Sequence, residues 1–312
     1  MAIDCLSCGI LFADVVCDPI DRPPDAGQVA MSPRIQLCLG GCASNTALDL
    51  ARLGVRVGVA GCVGDDVFGD SVVAALARGG VDTCGVHRIP QMNTACTMVV
   101  NVRGQDRRFI CSVGANTQMT VDHIPEAWLC EARVLYLGGY LMLPGLESQC
   151  MVDLMRRARA SGCKTVVDVV HIGNPNARAA VAQLLPETDV FLPNRDEAAA
   201  LTGRDDPLEQ AEAFRDLGAC AVVITDGDNG SLLATDGMRL RAGVYPAEYV
   251  GGTGAGDAFD AGFIMGMLEG EDPEGCVRWG AALGASCVRS VSATDGVFSR
   301  PEAEAFMREN TI

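Results

Sequence analysis

A run of small residues, 251–256, stands directly before an acidic residue, Asp257. It follows the extended pair Tyr249-Val250 and opens an apolar stretch of helical length, so it is predicted to be a strand-to-helix turn. The first turn of a helix presents unpaired N–H groups and the positive end of the dipole, which bind anions. A carboxylate beside a bound phosphate can act as general base for phosphoryl transfer. Asp257 can also simply cap its helix, but the small residues before it favour the anion site.

The basic residues exclude two other kinds of site. Of the 24 basic residues in 312, one is a lysine, Lys164. A Walker A loop ends in Gly-Lys-Ser/Thr, whereas Cys163-Lys164-Thr165 lacks the glycine. A lysine Schiff base is almost as constrained. We therefore expect any phosphate to be held by backbone amides, a metal ion and arginine.

Charge and composition also limit the partners and the location. The net charge of −16 disfavours nucleic acid or an anionic membrane as partner. No apolar run approaches the roughly 20 residues of a membrane span, and the N-terminal segment lacks the basic leader of a secretory signal. The 15 cysteines are odd in number and scattered through aliphatic runs, which favours free thiols in a reducing cytosol. We expect a cytoplasmic protein.

Aliphatic runs alternate with segments of helical length along most of the chain. The predicted strands are residues 3–10, 55–60, 134–137, 165–169, 190–192 and 221–225. The predicted helices are residues 45–53, 69–79, 146–160, 177–185, 196–201 and 208–217, and the pattern is helical from 256 to 290. This alternation is typical of an α/β fold with a mostly parallel sheet covered on both faces.

Two segments, at about 11–38 and 92–111, break this alternation with short alternating strands. Such excursions from an α/β core predict a small β-sheet that forms a lid over the edge of an active site. Because there is no repeat and no long linker, residues 1–312 are predicted to be a single domain with this lid. The exposed edges and apolar alternation of the lid invite pairing with a second copy, so we predict a homodimer through the lids.

Four motifs along the chain are similar to those of one enzyme family. They are Leu39-Gly40-Gly41-Cys42-Ala43-Ser44-Asn45 with Ala51-Arg52-Leu53-Gly54, the glycine-rich segment 61–69, Asn194-Arg195-Asp196-Glu197, and Gly254-Ala255-Gly256-Asp257. In this order they make the chain resemble the ribokinase-like (PfkB) carbohydrate kinases over almost its whole length. The resemblance implies a three-layer α/β/α sandwich with a mostly parallel central sheet and a small β-sheet lid. It also implies an ATP-dependent kinase that phosphorylates a hydroxymethyl group of a sugar or related polyol.

The same resemblance gives roles to the residues of the last motif. Asp257 becomes the catalytic base, in contact with the acceptor. Gly254, Ala255 and Gly256 become the anion hole for the transferring phosphoryl group. This division is physically sensible, because fixed N–H dipoles stabilise developing charge without a lysine.

The predicted acceptor site combines three positions that match the family with one lid residue. Asp14, Gly41 and Asn45 match the sugar-binding positions: a carboxylate accepts from two hydroxyls, an amide donates and accepts, and glycine allows close approach. Arg107 and Arg108, on the second lid strand, are within reach of substrate or phosphate, and Arg108 is taken as substrate-binding. Solvated surface positions are about as plausible for both arginines.

The nucleotide and metal sites follow from the third and fourth motifs and a turn between them. Magnesium is expected to be held through water by Asn194 and Glu197. The alternative is that these two residues are the N-cap and first-turn acid of an ordinary helix. The predicted nucleotide-binding residues are Asn194, Thr225, Gly227, Gly230, Gly254 and Gly256.

The chain departs from the family pattern at several positions. Gly251 stands where the family often has an Asp that helps hold a monovalent cation, so a potassium site is in doubt and turnover is expected to depend weakly on potassium. Asp226 and Asp228 are unexpected near nucleotide phosphates. Ala281 lies at an adenine-side position, and Cys42 replaces a lysine found in some relatives that phosphorylate ribose.

Other functions remain open at this stage. A nucleoside kinase of the same fold is the nearest alternative, and a non-catalytic sugar- or nucleotide-binding protein is another. An oxidoreductase is disfavoured, because no strand-linked Gly-x-Gly-x-x-Gly opens the chain. Asp168, at the carboxyl end of a predicted strand, is a further candidate for the binding cleft, since open α/β sheets bind ligands there.

Overall fold

The computed structural model describes residues 3–105, 107–171 and 173–312. The strands in this part of the chain are β1 (Cys5–Gly9), β2 (Phe12–Ile20), β3 (Ile35–Gly40), β4 (Val57–Gly64), β5 (Asp82–Ile89), β6 (Cys96–Val102), β7 (Arg108–Ser112), β8 (Val134–Gly138), β9 (Lys164–Val167), β10 (Val190–Phe191), β11 (Ala221–Thr225), β12 (Ser231–Ala234) and β13 (Arg239–Ala242). The helices are α1 (Cys42–Arg52), α2 (Val67–Arg78), α3 (Glu126–Glu131), α4 (Gln149–Ala160), α5 (Ala177–Leu184), α6 (Arg195–Thr202), α7 (Pro207–Asp216), α8 (Ala255–Glu269), α9 (Pro273–Cys287) and α10 (Arg300–Glu309).

A large sheet forms the centre of the molecule, with strand order β13-β12-β11-β10-β9-β8-β1-β4-β5. The strands from β5 across to β11 are parallel, and β12 and β13 are antiparallel at one edge. The central strands β1 and β8 are buried along their whole length. Strands that are buried at every position are typical of parallel sheets covered on both faces.

Successive residues of the central strands enter two separate hydrophobic cores, because their side chains point to opposite faces. Leu6 and Leu135 pack with residues of α3 to α7 on one face. Cys5 and Val134 pack with residues of α1, α2 and α8 to α10 on the other. The predicted three-layer α/β/α sandwich with a mostly parallel sheet is therefore confirmed.

A second sheet, of four strands, has the order β3-β2-β6-β7. Strands β2 and β6 pair in parallel, while β3 and β7 pair antiparallel at the two edges. Its strands coincide with the two segments predicted as the lid, 11–38 and 92–111, except that β3 extends to Gly40 and β7 to Ser112. Residue 106, in the predicted turn of the second segment, lies outside the described residues. That these sheets form a single domain stays a prediction.

The structure differs from the predicted elements in several places. The helical stretch 256–290 is two helices, because Gly270 takes a left-handed conformation (φ 79°) and ends α8. Strand β5 was not predicted, since its sequence DTCGVHRI lacks an apolar alternation. The edge strands β12 and β13 and the helices α3 and α10 were also missed. Among the described residues, no helix is long and apolar enough to cross a bilayer.

Candidate active site

The predicted site residues gather at the carboxyl ends of the parallel strands. Asp168 directly follows β9, and Asn194 lies just beyond β10, where it forms an isolated bridge to Thr225 at the end of β11. Asp14 lies on β2, which leaves the end of β1 after a short turn. Ligands bind at this edge of open α/β sheets. The chain order of these strands, rather than any local pattern, brings the residues together.

Asp257 is held in the first turn of α8 by contacts to α1. The Asn45 Nδ2 donates to Asp257 Oδ2 at 2.7 Å, and the Thr46 hydroxyl donates to the Asp257 carbonyl oxygen at 3.2 Å. The N-cap of α8 is Gly254, in a left-handed conformation (φ 80°), and no side chain caps the helix. A Cβ on Gly254 would overlap the backbone of Ala293, so glycine is required there. The Asp257 carboxylate thus points to α1 and does not cap its own helix.

Three ionisable groups meet beside this carboxylate. One ligand atom each of Cys42, Asp168 and Asp257 lies within 4.8 Å of the others. The Gly139 amide donates to Asp168 Oδ2 at 3.0 Å. Burial raises the pKa of Asp168 well above its usual range, and the Glu197 and Asp257 carboxylates raise it further. The cluster therefore brings acidic groups together in a largely buried place, where their raised pKa values favour the protonated form.

The pKa of Asp257 reflects a balance between burial and hydrogen bonds. Burial raises this pKa, while hydrogen bonds from Asn45 and Cys42 lower it in part. The pKa of Asp257 is raised overall. A carboxylate with a raised pKa is a better proton acceptor near neutral pH than an ordinary aspartate.

Asp14 is buried, at 7% exposure, where the second sheet meets α1. A Cβ on Gly40 would overlap its carboxylate, so glycine at this position makes room for Asp14. Gly41, with φ 91°, then turns the chain into α1. Burial raises the pKa of Asp14 to about 7; a hydrogen bond with Thr97 opposes this shift and the Asp257 charge adds to it. Gly41 was predicted for this site, and Gly40 was missed.

Asn194 and Glu197 form a reciprocal capping pair at the start of α6. The backbone N–H of Asn194 donates to Glu197 Oε2 at 3.0 Å, and the backbone N–H of Glu197 donates to Asn194 Oδ1 at 2.9 Å. Burial raises the pKa of Glu197 to about 7, the backbone amides of Asn194 and His171 oppose the shift, and the Asp257 charge adds to it. A carboxylate under this charge repulsion fits a nearby divalent cation, which prefers oxygen ligands.

A cavity of about 700 Å³ lies beside the N-terminus of α8. Of the residues predicted to bind nucleotide, Asn194 and Gly254 do not line this cavity. Ala281, predicted on the adenine side, does. The other predicted residues that line it are Thr225, Gly227, Gly230, Ala255 and Gly256.

The lid arginines are placed differently from one another. Arg108 is exposed and donates to the Gln105 side chain at 2.6 Å. Arg107 lines the cavity, with its guanidinium 5.4 Å from the centre of the Phe109 ring. The cavity residue Tyr249 was also missed, although it lies two residues before the glycine run that defined the site.

The acidic turn after β11 is partly neutralised. Asp226 pairs with Arg195 at 3.1 Å and accepts from the Asn229 side chain at 3.2 Å. Asp228 lines the cavity. One of the two carboxylates that were unexpected near phosphate thus has its own cation.

Comparison with known proteins decides the family. Residues 3–299 match the model of the pfkB family carbohydrate kinases. The chain belongs to this family. This pfkB-family chain is 27% identical over 289 residues to a ribokinase of Haemophilus influenzae, covering 90% of this chain and 91% of that protein. It is 28% identical over 280 residues to a 5-dehydro-2-deoxygluconokinase of Clostridium perfringens, covering 86% of this chain and 82% of the relative.

A solved structure agrees with this assignment. The ribokinase of Arabidopsis thaliana, determined with ribose and ATP, superposes with a TM-score of 0.85 at 25% sequence identity, over 99% of each chain. The predicted family, fold and enzyme class are therefore confirmed: the protein is a carbohydrate kinase with a ribokinase-like fold.

Proposed function

We propose that this kinase transfers the γ-phosphoryl group of ATP to a hydroxymethyl group of a sugar or sugar-like acceptor. The main supporting observation is the position of Asp257, which belongs to the acidic cluster and directly follows Ala255 and Gly256, two residues that line the 700 Å³ cavity. Its carboxylate is bonded to Asn45 of the neighbouring helix rather than to its own helix terminus. A donor in the cavity and an acceptor at the cluster would meet at this carboxylate.

The acceptor-binding groups are consistent with a polyol. Within the described residues, Asn45 Oδ1 is buried and has no hydrogen-bond partner, so it is left to accept from a substrate hydroxyl. Asp14 supplies two further acceptor oxygens. Because an unpaired buried polar atom is costly, these atoms favour a ligand rich in hydroxyl groups.

In the proposed reaction, Asp257 accepts the proton of the hydroxymethyl group as its oxygen forms a bond to the γ-phosphorus. The bond from that phosphorus to the bridging oxygen breaks, and ADP leaves with the electron pair. The amides of Gly254, Ala255 and Gly256 stabilise the charge on the transferring group, because their dipoles are fixed before the reaction. The cavity residues hold the rest of the nucleotide.

Magnesium is the proposed metal, and Asn194 and Glu197 would hold it through water. When bound, it would neutralise charge on the nucleotide phosphates. The protein's own contribution is to keep Glu197 fixed by the capping pair at the start of α6. The half-buried carboxylate is thereby oriented by its helix before any ion binds.

The test replaces Asp257 by Asn. Loss of the general base should lower kcat by about 10²–10⁴, with folding and binding of the acceptor retained. The matched control is Asp272→Asn, since Asp272 does cap its helix and accepts from the Gly275 amide at 2.8 Å. Asn caps as well as Asp, so this control should keep the wild-type rate. An Asp257→Asn enzyme that turns over like the control would reduce Asp257 to a structural residue and overturn the mechanism.

The acceptor itself is open between sugars and nucleosides. The relatives named above act on ribose and on a deoxygluconate derivative, going by their names. A nucleoside kinase of the same fold is the alternative function. ADP release measured over aldoses, ketoses, sugar acids and nucleosides distinguishes the two.

A homodimer through the lids is also proposed. Leu37, Val15, Met98 and Ile110 are adjacent across the four strands of the second sheet. Three of them are exposed, the exception being the half-buried Val15. This apolar row lies on the face opposite to Asp14, so a second copy covering it would leave the acceptor side open.

All 15 cysteines are free, which agrees with the proposed cytoplasmic location.

A further inference from the structure

We infer that a zinc ion binds to Cys42, Asp168 and Asp257 and inhibits the kinase by occupying the carboxylate of its base. The inhibition, but not the binding, rests on the proposed function, which makes Asp257 the base. This site is additional to the proposed magnesium site at Asn194 and Glu197, and it takes a different class of cation.

Three potential ligands of zinc already lie together. The Cys42 Sγ atom and one carboxylate oxygen each of Asp168 and Asp257 are within 4.8 Å of one another. In a tetrahedral zinc site, bonds of about 2.0–2.3 Å place neighbouring ligand atoms about 3.5 Å apart. Small side-chain rotations would therefore bring the three groups onto one ion, with a water molecule in the fourth position.

These three groups are held by different elements of the fold. Cys42 is the first residue of α1, Asp168 directly follows β9, and Asp257 lies in the first turn of α8. The backbone N–H of Gly139 donates to Asp168 Oδ2 at 3.0 Å, and Asn45 donates to Asp257. Cys42 and Asp168 are buried, whereas Asp257 is half-buried. An ion therefore reaches the site past the Asp257 carboxylate.

The Cys42 thiol determines which cation the site prefers. Magnesium and calcium are hard cations that take oxygen ligands. A thiolate instead favours zinc and softer metals. The magnesium needed for kinase activity should therefore compete poorly for this site.

Burial raises the pKa values of all three groups, which favours their protonated forms in the metal-free protein. Zinc binding displaces these protons, because the ion takes carboxylates and thiols in their deprotonated forms. The ion also supplies the positive charge beside which three anionic groups can lie together. The raised pKa values therefore weaken zinc binding at neutral pH but do not exclude it.

An unpartnered oxygen independently indicates a ligand at this place. Asn45 is 3% exposed, and its Nδ2 donates to Asp257 Oδ2 at 2.7 Å. In the described part of the chain, the buried Oδ1 of the same amide has no hydrogen-bond partner. It can accept from a water molecule on the ion, as it can from a substrate hydroxyl. Because zinc and acceptor would use the same oxygen and the same carboxylate, each should exclude the other.

The first experiment measures inhibition of ADP release by zinc chloride, with magnesium and ATP in excess and the best acceptor from the screen. Each protein is compared with its own rate in metal-free buffer. Zinc should inhibit the wild type competitively with the acceptor and not with ATP. Cys42→Ser keeps the size and a hydrogen-bonding group but removes the thiol. Its inhibition constant should rise by at least about 100-fold, since losing a partner of a metal ligand already costs about 10–100-fold in affinity.

Two further variants accompany this measurement. Asp168→Asn removes a different ligand and should also weaken the inhibition, so the inference stays testable if Cys42→Ser does not fold. Cys150→Ser is the matched control, because Cys150 is an exposed thiol on α4, away from the site. Its zinc inhibition should equal that of the wild type.

The second experiment measures metal binding without catalysis. Cobalt(II) is added to the protein in the absence of nucleotide and acceptor, and the absorption of a cobalt–thiolate bond is recorded. The wild type and Cys150→Ser should show this absorption, and zinc should abolish it. Cys42→Ser should lack it, and the acceptor should reduce it in the wild type.

The outcomes separate the metal site from the proposed function. Equal zinc inhibition of wild type, Cys42→Ser and Asp168→Asn, or a cobalt absorption that persists in Cys42→Ser, would overturn the zinc site and leave the kinase function intact. Inhibition competitive with ATP would also overturn it, since zinc would then act through the nucleotide. Failure of the proposed function appears elsewhere, as wild-type turnover in Asp257→Asn or as no ADP release with any acceptor, while the cobalt experiment still tests the site.

Discussion

Asp14 is proposed to bind substrate, and its position should make the ligand-free protein less stable than it would be without the charge. The carboxylate is buried under Gly40, and no described cation acts on it. Replacing it by Asn keeps the size and removes the charge. We predict that Asp14→Asn stabilises the ligand-free protein at alkaline pH, although it lowers kinase activity.

The magnitude follows from the pKa of Asp14, which burial raises from 3.8 to about 7. The folded state therefore binds this proton more tightly than the unfolded chain does. Its contribution to stability is complete below about pH 4 and is lost as pH rises to about 7. The bound proton contributes about 4 kcal/mol in total to the free energy of unfolding, taking about 1.4 kcal/mol for each unit by which the pKa is raised. About 2 kcal/mol of it falls between about pH 5.5 and pH 8.

The assay is urea unfolding of the ligand-free wild type and variant at about pH 5.5 and about pH 8. The free energy of unfolding of Asp14→Asn, relative to wild type, should increase by about 2 kcal/mol between these two values. Asp4→Asn is the control of opposite sign, because a hydrogen bond from Arg56 lowers the pKa of Asp4. Stability from a lowered pKa is present above the unfolded value and lost only in acid. Asp4→Asn should therefore lower the free energy of unfolding by the same amount at both pH values.

A difference between Asp14→Asn and wild type that does not change with pH would refute the reasoning. It would mean that the Asp14 carboxyl is hydrated or paired in solution. Loss of stability in the variant at both pH values would have the same meaning, since the charged form would then be the favoured one.

Two further predictions concern the lid and the cation. Met98→Asp places a charge in the apolar row of the second sheet and should convert a lid-paired dimer to a monomer, as measured by light scattering. A wild-type chain that is already monomeric at micromolar concentration would contradict the dimer. Turnover should depend only weakly on potassium, because Gly251 supplies no carboxylate and a Cβ there would already lie 3.0 Å from the Ser290 carbonyl oxygen. Strong activation on adding potassium to a sodium- and potassium-free buffer would show that carbonyl oxygens suffice.

Local patterns in the sequence were enough to predict the junction at Asp257. The small residues 251–256 require a turn, and the apolar stretch after them requires a helix, so the anion-binding terminus follows from a single segment. The parallel sheet was predictable from the alternation of aliphatic runs with segments of helical length along the chain. Each of these inferences needs only patterns that are visible along the sequence.

The acceptor region could not be predicted in this way. Gly40 matters because the Asp14 carboxylate occupies the space that its side chain would fill, and that contact joins two strands of the lid. Cys42 was noted as a departure from the family, but its nearness to Asp168 depends on how α1 meets the end of β9. Arg107 and Arg108 are chemically identical neighbours, and only the start of β7 determines which of them reaches the cavity.

The capping pair shows how a structural and a functional interpretation of one motif can both hold. Asn194 and Glu197 satisfy each other's backbone amides, which is what an ordinary helix start requires. Yet an ordinary first-turn acid is solvated, whereas burial raises the pKa of Glu197 to about 7 and Asp257 adds to the shift. The cap fixes the direction of the carboxylate, and the fold supplies the charged surroundings. A side chain held by its own helix and repelled by the acidic cluster is already oriented for a cation, so the cap contributes to the proposed metal site instead of competing with it.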